Sequence, residues 1–248
     1  MKRQVLEVAV TLGVVMWTAS AAHAQTSTAP DHRWSIDVGT GFDNSISGNI
    51  NSSASGTING QPVVIVKNRY EDVYGTGLHF TFGGGYMLNQ NTEVRAMFTL
   101  QSLDADLTPI GDIGTSKLYA QYDDYQSFGL DVGLRRYTNV MAKLRPYADG
   151  SIGVAFIDET DVQLTAPSAN ISYAATDFYD KTAAFSFGAN AGVLWQMSEK
   201  FGVYGQLGLR LMTGMSQVDN LIGTGLDTIN DNSARWTLPF VVGVNTRF

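Results

Sequence analysis

The sequence ends in Trp236-Thr-Leu-Pro-Phe-Val-Val-Gly-Val-Asn-Thr-Arg-Phe248, a stretch in which two kinds of residue alternate. Every second residue from Trp236 suits a lipid-facing surface, and the residues between them are smaller or more polar. A period of two over roughly 9–11 residues predicts a strand long enough to cross a bilayer at a tilt. Because each unpaired backbone N–H or C=O group costs several kcal/mol in lipid, such a strand requires partners that close it into a barrel.

The first residues have the composition of a secretory signal peptide. A positively charged start precedes an apolar stretch from 8 to 19 and an Ala-x-Ala site at 22–24, so we predict export with cleavage after Ala24. An N-terminal membrane helix is the alternative, but Glu7 interrupts an apolar stretch shorter than the ~20 residues that a span needs. The predicted domains are a signal peptide at 1–24, a short N-terminal segment at 25–32 and a β-barrel at 33–248.

Composition excludes several classes of function. The formal net charge is −7, which disfavours nucleic acid as a partner. The chain has no cysteine, so neither a disulfide scaffold nor a cysteine-ligated metal site is available to it. After residue 24 no apolar stretch approaches the length of a membrane-spanning helix, so the mature chain is either soluble or crosses the membrane as strands.

Alternating segments recur along the whole chain, and seven of them precede the closing strand. They cover 33–43, 74–88, 93–101, 125–138, 144–157, 185–196 and 201–211. The connections alternate between long and short, and the segment count is even. We therefore predict an all-β fold, an eight-stranded antiparallel up-and-down transmembrane β-barrel with four long extracellular loops and three short periplasmic turns. A soluble β-sandwich is the alternative, but its strands average only ~5–6 residues and its polar faces carry many charges.

Aromatic residues gather near the ends of the predicted strands. Rings with an apolar body and a polar edge favour the membrane interface, where such barrels carry two aromatic girdles. The predicted girdle residues are Trp34, Tyr86, Tyr125, Trp195, Phe201 and Trp236.

Charged residues on the inward face of the strands predict a network in the lumen. Eight strands enclose a space just wide enough for side chains, and unpaired charges there are costly. The predicted members are Asp37, Glu93, Arg95, Asp131, Arg135, Arg145, Asp149, Arg210 and Arg247. We expect a salt-bridge network that plugs the barrel; the alternative is an ion-selective constriction of a pore.

The long loops are rich in aspartate and carry tyrosines near their bases. Calcium binding or divalent bridging to lipopolysaccharide is one interpretation, but the loops lack the Asp spacing of a calcium loop, and we expect a solvated surface. We expect the tyrosines to join the girdle rather than to form adhesive contacts; they are Tyr70, Tyr74, Tyr122, Tyr125, Tyr173 and Tyr179. A lone inward histidine, His79, is expected to fill space rather than to act as a base, so we predict no enzyme, no catalytic or metal site and no cofactor.

Two short pieces resemble a known family. Arg145-Pro-Tyr-Ala-Asp-Gly-Ser-Ile-Gly153 and the final stretch from Val242 to Phe248 are similar to the fifth and last strands of the small outer-membrane β-barrel family of OmpA-type and opacity-type porin-family proteins. The resemblance implies the outer membrane of a Gram-negative bacterium as the location. It also implies a C-terminal signal read by the barrel-assembly machinery, formed by Phe240, Val242, Val244 and Phe248.

Two functions remain open from the sequence. The first is a monomeric structural or surface-interaction barrel embedded in outer-membrane lipid and lipopolysaccharide, with an extracellular ligand that the sequence does not identify. The second is a narrow porin-like channel for small solutes.

Overall fold

The computed structural model describes residues 33–138, 143–218, 225–226 and 228–248; the predicted signal peptide and the segment 25–32 lie outside them. None of the helices in these ranges has the length and apolar character needed to cross a membrane. The strands are β1 (Trp34–Ser47), β2 (Asn49–Asn51), β3 (Ala54–Ile58), β4 (Gln61–Ile65), β5 (Asn68–Arg69), β6 (Gly77–Asn89), β7 (Thr92–Leu103), β8 (Thr108–Ile113), β9 (Ser116–Tyr122), β10 (Tyr125–Tyr137), β11 (Leu144–Ile157), β12 (Thr160–Ala166), β13 (Ile171–Ser172), β14 (Thr176–Asp180), β15 (Thr182–Gln196), β16 (Phe201–Met212), β17 (Ser216–Gln217) and β18 (Arg235–Arg247). A helix, α1 (Tyr70–Val73), and a 3₁₀ turn (Pro167–Ala169) complete the secondary structure of these ranges.

Eight of the strands form a closed antiparallel barrel, in the order β1-β18-β16-β15-β11-β10-β7-β6. Each barrel strand pairs with the barrel strands before and after it in the chain, which is the up-and-down topology. The predicted all-β fold, an eight-stranded antiparallel up-and-down barrel, is therefore confirmed. Long connections (48–76, 104–124, 158–181 and 213–234) alternate with short ones (90–91, 138–143 and 197–200).

The closing strand β18 pairs with both β1 and β16 and seals the barrel. Its register with β1 runs without interruption from Ser35 opposite Arg247 to Ser45 opposite Thr237. Beyond the strand, Phe248 and Trp34 exchange two backbone hydrogen bonds of 3.0 Å. No barrel strand is left with an open edge, so the backbone groups of the wall find their partners within the wall.

The outer wall of the barrel is an apolar belt, because outward positions on every barrel strand carry large hydrophobic side chains. These side chains remain exposed: Ile36, Phe42, Leu78, Phe80, Phe82, Val94, Phe98, Leu100, Leu130, Val132, Leu134, Ile152, Phe156, Phe185, Phe187, Val193, Leu207, Phe240, Val242 and Val244. Monomeric soluble proteins rarely expose a contiguous apolar surface of this extent to water. It matches the hydrocarbon-facing band of a membrane barrel.

The four long connections fold together into a second structure, which we call the cap. Seven of its strands form one sheet in the order β17-β14-β12-β9-β8-β4-β3, β13 adds to β12, and β2 pairs with β5. The β3–β4 hairpin turns through Asn59 and Gly60, both at positive φ, which is the backbone that an Asn-Gly turn adopts readily. The cap therefore has regular secondary structure of its own.

A hydrophobic core lies beneath the cap sheet and over the mouth of the barrel. Its fully buried members include Ile50, Ile65, Val73, Leu103, Ile110, Leu118, Phe178 and Tyr179. This corrects two sequence-based expectations. The long loops are not simply a solvated surface, and Tyr70, Tyr74, Tyr122 and Tyr179 lie in this core rather than in a girdle. Burial raises the pKa of each of these four phenols, so they stay neutral even at a pH at which a free tyrosine ionises.

Candidate functional site in the lumen

Alternation along the strands places one set of side chains in the lumen. Because successive Cβ atoms point to opposite faces, the odd-numbered residues of β1, β7, β10 and β11 all face inward. Glycines on the same face leave room for long neighbours. A Cβ added at Gly129 would lie 2.8 Å from Nη2 of Arg210, so this glycine accommodates the arginine that crosses the lumen.

The centre of the lumen holds two arginines and two aspartates in contact. Arg95 places Nη2 2.6 Å from Asp37 Oδ2 and Nη1 3.0 Å from Asp149 Oδ2. Arg135 places Nη2 3.2 Å from Asp149 Oδ2 and Nη1 3.5 Å from Asp37 Oδ2. The guanidinium of Arg135 also lies 4.0 Å from the ring centroid of Tyr147 and is fully buried. These four charged residues form what we call the central cluster.

Amides and hydroxyls complete the coordination of the lumen carboxylates. Asn245 donates to Asp37 Oδ1 at 2.7 Å, and Asn190 donates to Asp149 Oδ1 at 2.6 Å. Glu93 accepts hydrogen bonds from the hydroxyls of Tyr137, at 2.8 Å, and of Ser35. Buried carboxylates are therefore held by both cations and neutral donors, which offsets part of their desolvation cost.

A second ion pair lies toward the cap. Arg210 Nη2 is 3.0 Å from Asp131 Oδ2, and Ser186 donates to the other oxygen of Asp131 at 2.6 Å. A cavity of about 70 Å³ lies between this pair and the central cluster, since its lining includes Arg95 as well as Arg210. That volume holds only a few water molecules.

A further polar group, absent from the sequence-based prediction of the lumen network, lies just beneath the cap. Gln101 donates to Asp43, and His79 Nδ1 lies 3.8 Å from the same carboxylate. Above them, Arg235 donates to Ser45 and lies 4.2 Å from the ring centroid of Tyr125. Asp43 and Arg235 both stand at alternate positions that face the lumen, and this pattern could have identified them. Arg235 was missed because it precedes the predicted start of its strand.

Arg145 and Arg247 are in the lumen, but they form no ion pair with a described carboxylate. Both lie at the end of the barrel that carries the short turns, beside the ring of Tyr137, with guanidinium carbons 4.3 and 5.4 Å from its centroid. Arg145 also donates to the backbone carbonyl of Gln90 at 2.6 Å. Within the described residues they make no direct salt bridge, because the carboxylates lie deeper in the barrel, so their place in the network stays a prediction.

Most of the predicted girdle residues lie on the outer wall. Trp34 packs edge-to-face on Tyr86, with ring centroids 4.9 Å apart, and Trp195 and Phe201 are exposed at the same end of the barrel. Trp236 is half-buried at the start of β18, near the cap.

Tyr125 is an exception and corrects the predicted girdle. Its strand, β10, exposes even-numbered residues, so an odd-numbered tyrosine points inward. The side chain is 2% exposed and belongs to the core beneath the cap.

The four predicted assembly-signal residues all occupy the outer face of the closing strand or follow directly after it. They are exposed in the folded barrel: Phe240, Val242, Val244 and Phe248.

Acidic residues outnumber basic ones in the sequence of the four long connections that form the cap. Asp161 lies directly opposite Asp177 across the β12–β14 pair. Partial burial, together with the nearby Asp123 and Asp177 carboxylates, raises the pKa of Asp161 above its usual value. Two aspartates of the last long connection, Asp219 and Asp227, lie outside the described residues. Across the ranges that are described, no group of three or more His, Asp or Glu side chains has the arrangement of a metal site.

Comparison with known proteins gives structural similarities only. No protein-family model and no curated protein matches the chain. Neisserial surface protein A is 9% identical, with 87% of this chain and 97% of that chain covered and a TM-score of 0.48. A major outer membrane protein from Thermus thermophilus is 14% identical, with 88% and 100% covered and a TM-score of 0.46. OprG from Pseudomonas aeruginosa is 11% identical, with 88% and 98% covered and a TM-score of 0.43. Similarity this weak carries no argument about function. The functional argument therefore rests on the geometry of the barrel, the lumen and the cap.

Proposed function

We propose that this protein is an outer-membrane β-barrel of a Gram-negative bacterium whose role is structural or lies in surface contacts made through its cap. The observation that carries the proposal is the apolar belt around a closed barrel, which suits lipid on all sides. In that orientation the cap lies outside the cell and the short turns face the periplasm. Predicted export at 1–24 and the resemblance of the fifth and last strands to the small outer-membrane barrel family agree with it.

The lumen is proposed to be closed to solutes. The central cluster crosses the barrel from β1 to β11, and the Arg210–Asp131 pair adds a second level. The cap core then covers the mouth with packed aromatic and aliphatic side chains. A solute would have to displace paired buried charges and then the cap core, and both steps are costly.

The cap supports a role in surface contacts. A folded sheet presents its outward side chains with little loss of conformational entropy on binding, which favours recognition. Its excess of acidic residues would attract cationic partners and repel anionic ones. No catalytic role is proposed. The buried His79–Asp43 pair lies beneath the cap, where a substrate has no direct access.

Planar-bilayer recording tests the closed lumen. Refolded protein, checked by its changed gel mobility before and after boiling, is expected to give no steady conductance steps, because ions would have to displace the paired charges of both levels and the cap core. Steady, salt-dependent steps would favour the alternative, a narrow porin-like channel. Arg210→Ala would then change ion selectivity, whereas in a closed barrel it would mainly lower stability.

Assembly of the barrel is proposed to depend on Phe248, read by the barrel-assembly machinery. Deleting this residue is expected to lower the amount of barrel in the membrane more than it lowers the stability of barrels that have already folded. Fractionation of cells and the gel-mobility assay measure the two quantities. Phe156→Ala, which removes another exposed outward ring, is the control and should leave assembly near the wild-type level. Equal losses for both variants would contradict a specific signal.

Outer-membrane lipid and lipopolysaccharide are the remaining proposed partners, and the barrel is proposed to act as a monomer. The apolar belt runs around the whole wall, so lipid alone can cover it. Crosslinking in membranes, followed by mass measurement, tests the monomer. A discrete dimer band would oppose it.

A further inference from the structure

Positive charge is in excess inside the barrel. In the described residues, the lumen contains the carboxylates Asp37, Asp43, Glu93, Asp131 and Asp149. It also contains the guanidinium groups of Arg95, Arg135, Arg145, Arg210, Arg235 and Arg247. The excess is not evenly spread, because the short-turn end holds two arginines, Arg145 and Arg247, without an ion-pair partner in these ranges.

These two arginines are buried and incompletely bonded. Arg145 is 9% exposed and Arg247 is 7% exposed. The Nε atoms of both, and Nη2 of Arg247, are buried and have no hydrogen-bond partner among the described residues. Native proteins rarely leave such donors unsatisfied, and a bound ion is one kind of group that can accept their hydrogen bonds.

The nearest acidic layer does not supply the missing partner. Glu93 already accepts from the Tyr137 and Ser35 hydroxyls and faces Arg135 at 3.9 Å. The ring of Tyr137 lies beside both guanidinium groups and offers a cation–π contact to each. Such contacts contribute less than a charge-assisted hydrogen bond, so two like charges remain close together at the barrel mouth.

The surroundings of this mouth would attract an anion. Exposed Arg33, Lys143 and Lys200 lie at the same end, and Glu199 is the exposed acid of the 197–200 turn. The opposite end carries the acidic cap. A net positive charge around a concave mouth raises the local concentration of anions.

We propose that Arg145 and Arg247 form a binding site for a phosphate-bearing anion at the short-turn mouth of the lumen, with Tyr137 as its floor. Arginine suits this ligand because its planar fork can donate two parallel hydrogen bonds to phosphate oxygens. The phosphate has two sources, the headgroup of an anionic phospholipid in the adjacent leaflet or a free inorganic phosphate ion. Only the lipid source requires the proposed membrane orientation.

The experiment compares two double variants of the full chain, both purified in a phosphate-free glycoside detergent. Arg145→Gln/Arg247→Gln removes the buried pair, and Lys143→Gln/Lys200→Gln removes the same charge from exposed positions at the same end. Calorimetry with inorganic phosphate at constant ionic strength measures the free ion. Native mass spectrometry after exposure to vesicles of phosphatidylcholine with or without phosphatidylglycerol measures retained lipid.

Wild type and Lys143→Gln/Lys200→Gln are expected to bind phosphate, and Arg145→Gln/Arg247→Gln is expected to bind at least about tenfold more weakly. Retention of phosphatidylglycerol over phosphatidylcholine, lost in the same variant, would assign the lipid source; phosphate binding without this preference would assign the free ion. Equal weakening in both double variants would show only a general charge effect and would overturn the site. If Arg145→Gln/Arg247→Gln does not fold, failure of wild type to bind either probe still overturns it.

Discussion

Replacing Arg135 with alanine is expected to lower the free energy of unfolding of the barrel by about 3–5 kcal/mol, the usual range for removing one partner of a buried ion pair. The side chain is fully buried and contacts Asp37, Asp149 and the ring of Tyr147. Alanine would leave two carboxylates sharing one guanidinium, that of Arg95. Denaturant unfolding of protein refolded into lipid vesicles measures the change.

The control for this prediction is Lys117→Ala in the cap. Lys117 also pairs with a carboxylate, at 2.7 Å from Asp112, but its side chain is 66% exposed. Exposed pairs contribute about 0–1 kcal/mol, so this variant should be near wild type. Arg135→Lys should fall between the two, because it keeps the charge but not the planar fork. Equal, small losses for Arg135→Ala and Lys117→Ala would contradict the structural role of the central cluster.

Replacing Phe178 with alanine is expected to open the cap while the barrel stays folded. Phe178 is 2% exposed and its ring lies 5.5 Å from that of Tyr122 and 4.8 Å from that of Tyr179, centroid to centroid. Removing a buried phenyl ring costs about 3–5 kcal/mol, and here the loss falls on the cap core. Limited proteolysis should cut the cap connections of the variant much faster than those of wild type. The gel mobility of the unboiled barrel should not change.

Leu107→Ala is the matched control, since Leu107 is a cap residue whose side chain is 53% exposed. It should leave the rate of proteolysis close to that of wild type. Unfolding of barrel and cap together in Phe178→Ala would contradict the separation of the two cores. Slow cleavage in both variants would show that Phe178 does not hold the cap closed.

The barrel could be predicted from the sequence because its signal is local and repeated. A period of two over long segments defines each wall strand, and the order of long and short connections defines the topology. Even the fifth strand has the bounds that its alternation predicts, Leu144–Ile157. Alternation alone does not define where a strand ends, and β1 continues four residues past Asp43 to Ser47.

The cap could not be predicted in the same way. Its strands are short, and their partners come from different connections, as in the pairing of β4 with β8 and of β9 with β12. Alternation in Val63–Val64–Ile65 buries two side chains and exposes one, but three residues are too few to define a sheet. The Asn59-Gly60 turn was the strongest local signal of the hairpin there.

Lumen residues show a different limit. Alternation along each strand identified the charged residues that face inward. It does not say which of them are in contact, because contacts in the lumen depend on the relative stagger of strands that are not neighbours. Asp37 of β1 contacts Arg95 of β7, two strands away in the wall, whereas Arg247, on the strand next to that of Asp37, lies at the short-turn end beside Tyr137.

The pairing of β1 with β18 has a consequence for how the chain folds. It joins positions as far apart in sequence as Asp37 and Asn245, a separation of 208 residues. Contacts of such high sequence separation slow folding, because the entropy of closing the loop is lost before any contact repays it. Until the last strand pairs, both edge strands of the sheet expose unpaired backbone N–H and C=O groups. Chains that have not yet closed the barrel can therefore pair with each other through these edges. Closure is thus expected to be the slow step of folding, and chains that end before it are expected to aggregate.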